Sequence, residues 1–157
     1  MTQPEVRLSS KALGGAIAGA PESVLSILDA FGRELGVALQ MFDDLGNLIG
    51  KCEPAKRYED LKLYRPSWVW ACAANSSTPK AYEQFCTAVG SLPAAHELDS
   101  WIETHNLAER VRASAHHHLD MAFRELKERL DSDNVQWSRR AFEDLRELGE
   151  EISVAYG

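Results

Sequence analysis

Two neighbouring carboxylates, Asp43 and Asp44, preceded by Gln40 and followed by Asn47, are the residues whose types and spacing point most directly to chemistry. On a helix turning about 100° per residue, these four side chains fall within a wedge of roughly 100°. Adjacent carboxylates repel one another, and taken from water they need partners or they protonate. A divalent cation removes that repulsion. Hard oxygen ligands that leave waters on the ion suit magnesium, which is commonly shared with substrate phosphates. Gly36 lies one turn earlier on the same side, where a missing side chain leaves room for a ligand. The plain alternative is that the pair ends a helix in solvent. Gly46-Asn47 is a common C-terminal or turn signal, and acidic pairs on helices are abundant.

The element that must carry this group is a long helix over 22–49. Val24, Phe31, Leu35, Ala38, Phe42, Leu45 and Ile49 fall on one side of it, opposite the polar wedge. From Val37 to Phe42 the chain is apolar all round except for Gln40, a pattern that places a helix centrally in its bundle. Around it the spacing predicts helices over 8–19, 67–74, 79–89, 94–104, 107–131 and 137–154, with no sustained strand alternation. Proline punctuates these elements: Pro21, Pro66, Pro79 and Pro93 fit helix starts or stops, Thr78 is a natural N-cap, and Gly90 closes the helix it begins. Leu107, Val111, Ala115, Leu119, Ala122, Leu126 and Leu130 form one stripe, and Ala141, Leu145, Leu148 and Ile152 another, each backed by charged residues. Those two helices are scaffold.

The remaining candidates have blander readings. His116, His117 and His118 are consecutive, so on a helix their imidazoles diverge and cannot share one metal ion. Trp68 and Trp70 are core or interface anchors, with the lining of an apolar pocket as the rival reading. Asp131-Ser132-Asp133-Asn134 lacks the glycine and glutamate of a calcium loop and is a turn. Cys52, Cys72 and Cys86 are an odd set without paired spacing, read as free thiols in a reducing cytoplasm. No nucleotide-cradling loop or Ser/His/Asp order is present. The 157 residues are 45% hydrophobic and 26% charged with net charge −7, which fits one soluble domain and argues against nucleic acid or a basic membrane helix as partner. No secretory leader or membrane span is expected.

The run Phe31-Gly32-Arg33-Glu34-Leu35-Gly36-Val37-Ala38-Leu39-Gln40-Met41-Phe42-Asp43-Asp44-Leu45 resembles the second aspartate-rich region of the trans-polyprenyl diphosphate synthases. Their pattern is a glycine, a short apolar stretch, Phe-Gln, two residues, then Asp-Asp-x-x-Asp. Leu39-Gln40 stands at Phe-Gln, Asp43 and Asp44 match the first two acids, and Asn47 stands at the last. Upstream, Lys11-Ala12 lies where the family has a Lys-Thr pair that touches diphosphate. Downstream, Ala55-Lys56, Asp60 and Arg65-Pro66-Ser67-Trp68 follow the family's order. The resemblance is specific from Lys11 to Trp68 and then fades into helices.

The resemblance implies an all-α antiparallel bundle, a partial isoprenoid-synthase-like fold. It implies condensation of an allylic diphosphate with isopentenyl diphosphate, with magnesium bridging the diphosphate to two aspartate-rich helices. Asp43, Asp44 and Asn47 would hold metal. Lys11, Lys56 and Arg65 would contact diphosphate through charge-assisted hydrogen bonds. Gln40 would sit beside the reacting prenyl chain, and with Lys11 it completes the expected catalytic set. The departures bear on activity. No other Asp-Asp pair occurs in the sequence, so the first aspartate-rich motif is lacking, and the whole chain, 1–157, reads as one helical domain resembling the C-terminal half of the fold. The expectation is a cytoplasmic chain inactive alone, a subunit completed by a second chain or another copy, or else a non-catalytic partner of a full-length synthase.

Overall fold

The computed structural model describes residues 19–51, 54–132 and 137–156. Among the described residues there are seven α-helices and no strand: α1 (Glu22–Ile49), α2 (Glu59–Lys62), α3 (Trp68–Ser76), α4 (Pro79–Gly90), α5 (His96–Thr104), α6 (Leu107–Ser132) and α7 (Arg139–Tyr156). A short 3₁₀ turn covers Pro54–Lys56. The fold class is thus the all-helical one that the pattern and the resemblance imply. The long helices form where hydrophobic spacing predicts them. Of the helix expected over 8–19, all but Gly19 lies outside the described residues, as do Lys11, Cys52, Asp133 and Asn134, and Gly19 is in a turn with φ 73°. The turn at 54–56 and helix α2 were not foreseen, because a single turn is too short to show a 3.6-residue period.

The chain groups into two compact units. One comprises Met1–Ala38 and His117–Glu150. Within its described part, Ile27, Phe31, Leu119, Ala122, Phe123, Leu126 and Leu130 are buried. Phe123 is the hub, with ring centroids 5.1 Å from Phe31 and 5.9 Å from Phe142. Gly149 allows α7 its approach to this ring, since a Cβ there would lie 3.0 Å from Phe123 Cε2. His118 Nε2 meets Glu34 Oε2 at 3.1 Å. Ser138 starts α7 by accepting from Ala141 N, the arrangement expected of a serine N-cap.

The other unit comprises Leu39–His116 and Glu151–Gly157. Its core gathers Phe42, Leu45 and Leu48 of α1, Leu61, Val69, Phe85, Val89, Leu98, Leu107 and Val111. Phe85 is fully buried, and its ring centroid lies 5.2 Å from Trp70 and 4.9 Å from Trp101. Trp101 Nε1 donates to Ala81 O at 2.9 Å, the partner a buried indole requires. Thr78 caps α4 by accepting from Ala81 N, and Pro79 occupies its first turn, as the sequence predicts. His116 packs edge-on against Phe42 at 5.1 Å. His117 is exposed.

One expectation about α1 needs correction. The Val37–Phe42 run reads as apolar on every face and therefore central. In the structure Gly36 and Gln40 are exposed and Val37 is 45% exposed, whereas Ala38, Met41 and Phe42 are buried. The helix has one packed side here and one open side, and small or apolar residues on the open side do not change that.

Candidate functional site

The end of α1 presents the acidic group, and two later segments meet it, the one that carries Lys56 and Asp60 and the start of α3. Asp43 and Asp44 are consecutive, so their side chains diverge by about 100°. Asp43 is exposed. Asp44 is 4% exposed and points toward the start of α3. Its Oδ2 accepts the Trp68 backbone N–H at 2.5 Å, and its Oδ1 accepts from Gln40 Nε2 at 2.9 Å.

The reason lies in how α3 begins. Pro66 disfavours helical backbone in the residue before it. Ser67 is extended, with φ −143° and ψ 164°, and its side chain makes no cap hydrogen bond. The first amide of α3 is therefore one of the orphan donors every helix start leaves, and Asp44 supplies the acceptor from another helix. A carboxylate there also faces the positive end of the α3 dipole. Burial nonetheless pushes the Asp44 carboxyl above its ordinary value of 3.8. The Trp68 and Gln40 hydrogen bonds pull it back down, and the negative charges of Asp60 and Asp43 add to the rise.

Asn47 is engaged at both ends of its amide. Nδ2 donates to Lys56 O at 3.1 Å, and Oδ1 accepts from Asp60 N at 3.4 Å. Its backbone carbonyl accepts from Tyr58 N at 3.1 Å. Asn47 thereby ties the end of α1 to the segment that carries Lys56 and Asp60. That segment turns at Tyr58, which adopts φ 67° and is buried. The Tyr58 hydroxyl donates to Asp99 Oδ1 at 2.5 Å, and Arg57 Nη2 meets the same oxygen at 2.9 Å. Burial and the Asp99 hydrogen bond push the Tyr58 hydroxyl far above its usual range.

The structure brings Gln40, Asp44 and Trp68 into one hydrogen-bonded group, and Asn47, Lys56 and Asp60 into another. Arg65 Nη1 pairs with Asp60 Oδ1 at 3.1 Å. The Lys56 side chain is exposed. Lys11 lies outside the described residues. Sequence reasoning placed Asp60 in the pattern but not in the site, where it is the partner of Arg65 and a charge felt by Asp44. The five-residue spacing between Asp60 and Arg65 across a proline-bounded loop was the available signal. It did not foresee the backbone amide of Trp68 at all, since an amide leaves no mark in a residue pattern.

Among the described residues, no group of three or more His, Cys, Asp or Glu side chains is arranged to hold a metal ion. Asp44 and Asn47 direct their oxygens at protein donors, and Asp43 alone offers an exposed carboxylate. The residues present fit a share of a hydrated magnesium ion, one that keeps its waters and leans on other ligands, and not a complete site.

No described helix is long and apolar enough to cross a membrane. No curated protein and no solved structure matches the sequence significantly. The family model described as polyprenyl synthetase matches residues 6–103, a span that includes the whole acidic group, its Lys56–Arg65 loop and the start of α3. That match runs over well more than half of an all-helical chain whose Gln40–Asp44 and Lys56–Trp68 elements meet in one place, and the chain belongs to the polyprenyl synthetase family.

Proposed function

We propose that the chain is a subunit of an isoprenyl diphosphate synthase, corresponding as a whole to the C-terminal half of the fold. A second chain carries the first aspartate-rich helix. Their joint reaction is the condensation of an allylic diphosphate with isopentenyl diphosphate. The observation that supports this reading is the exposure of Asp43 on α1 of a family chain, beside an Asp44 that fixes the local frame.

In this role Asp43 is the carboxylate presented toward the diphosphate side of the shared site. Lys56 and Arg65 bind diphosphate oxygens, with Arg65 held in reach by Asp60, and Lys11 joins them. Charge-assisted hydrogen bonds from such cations stabilise the leaving diphosphate as its charge grows. Gln40, its amide held by Asp44, lies beside the prenyl chain. The partner supplies the rest of the apolar wall that keeps water from the allylic cation. The family is generally magnesium-dependent, and magnesium bound with the substrate would supply neutralisation of the diphosphate charge.

The test is reconstitution. The chain alone should show little or no chain elongation. Mixed with a chain that carries the first aspartate-rich motif, it should give magnesium-dependent product, and Asp43→Ala should abolish it. Equal turnover with Asp43 replaced would sink the reading. A second reading, a non-catalytic partner that modulates a full-length synthase, is favoured by the engagement of Asp44 and Asn47 with the protein itself. It predicts that the Asp43 variant leaves the activity of the complex unchanged.

A further inference from the structure

We infer that the Asp44–Asn47 end of α1 is a cation-independent frame, in which Asp44 caps α3 and Asn47 pins the Lys56–Asp60 segment, so that this part of the fold is complete without metal. These bonds are the same whichever functional role the chain has.

A metal ligand must direct lone pairs at the ion. Asp44 directs one oxygen at the Trp68 amide at 2.5 Å and the other at Gln40 Nε2 at 2.9 Å, within a side chain only 4% exposed. Each oxygen keeps a second lone pair, but at 4% exposure the carboxylate does not open to a hydrated ion. Turning it out to reach one would leave the first amide of α3 without an acceptor, since Ser67 offers no substitute. Asn47 is more specific still. Its Nδ2 donates to the Lys56 carbonyl at 3.1 Å while its Oδ1 accepts from the Asp60 amide at 3.4 Å. An ionised aspartate at this position has no donor. One of its oxygens would face the Lys56 carbonyl oxygen as acceptor against acceptor. The carboxamide is thus the group this geometry requires, and the missing third acid of the motif is the means by which the loop is held without a cation.

The experiment compares the 157-residue chain with its Asn47→Asp variant by urea unfolding, in millimolar magnesium chloride and in chelator. The wild-type midpoint should be the same in both. The Asn47→Asp midpoint should fall, and magnesium should not restore it. Acid should restore it in part, because a protonated carboxyl regains an O–H donor toward Lys56 O. A wild-type midpoint that rises with magnesium, or an Asn47→Asp variant rescued by magnesium and not by acid, overturns the inference. Should that variant fail to fold, the wild-type side-chain amide resonance of Asn47 carries the test: it should stay in place on magnesium addition, and a saturable shift would overturn the inference.

Discussion

Asp44→Ala removes an acceptor that two parts of the chain share. The bond to the Trp68 amide is both a helix cap and a hydrogen bond to a charged group. Loss of a cap costs about 0.5–2 kcal/mol, and loss of a hydrogen bond to a charged partner about 1.5–3 kcal/mol. These figures describe one contact from two sides and do not add. Against them stands the strain already on this carboxyl, whose burial and negative neighbours hold it above 3.8. A net loss of about 2 kcal/mol follows, equivalent to a fall in Tm of about 4–8 °C for a chain of this size. Asp44→Asn keeps an oxygen for the Trp68 amide and removes the buried charge, so it should cost less than about 1 kcal/mol. Urea unfolding followed by far-UV circular dichroism on wild type and both variants measures the difference. The reasoning fails if Asp44→Ala lies within about 0.5 kcal/mol of wild type, the range of an ordinary surface change. It fails equally if Asp44→Asn is as damaging as Asp44→Ala, since charge rather than capping would then dominate. The pH dependence has a definite sign. A carboxyl raised above its ordinary value binds its proton more tightly in the folded chain than in the unfolded one. Its contribution to stability therefore declines as pH rises through the window above 3.8, and recovers as pH falls into it. The stability difference between wild type and Asp44→Asn should shift in favour of wild type on acidification through that window.

Other outcomes follow from the packing. Phe85→Ala empties the centre of the Trp70–Phe85–Trp101 cluster and should cost about 3–5 kcal/mol in chemical denaturation. Gly149→Ala gains up to about 1 kcal/mol in helix propensity. It also places a Cβ 3.0 Å from Phe123 Cε2 and 3.4 Å from Cζ, in a buried ring that cannot swing away freely. Overpacking of about 1–3 kcal/mol wins, so the thermal midpoint should fall rather than rise. Tyr58→Phe keeps the buried ring and the Arg57–Asp99 pair and loses only the hydroxyl bond to Asp99. It should lower stability by about 1 kcal/mol, measured by the same unfolding curves.

Much of the fold was written in local pattern. Helix α1 runs over the very span that its apolar spacing predicts, because the period of side-chain direction is fixed by the backbone and needs no partner to be read. Thr78-Pro79 marked the start of α4 for an equally local reason: a side-chain oxygen and a missing N–H act within one turn. The divergence of His116, His117 and His118 was legible too, and the structure sends them separately to Phe42, to solvent and to Glu34. The turn at Pro54–Lys56 and the single-turn helix α2 were not legible, since their geometry comes from bonds to Asn47 and from the left-handed Tyr58.

The residues themselves dictated a long amphipathic rod with an acidic, amide-bearing end, and their order pointed to the polyprenyl synthetase family. Which of the two aspartates is buried could not be read from them, for each is flanked alike and each is one helical step from the other. Tertiary structure settled it by setting the uncapped first amide of α3 against one side of α1. An orphan amide attracts the nearest carboxylate, so Asp44 became a cap and Asp43 was left to the solvent.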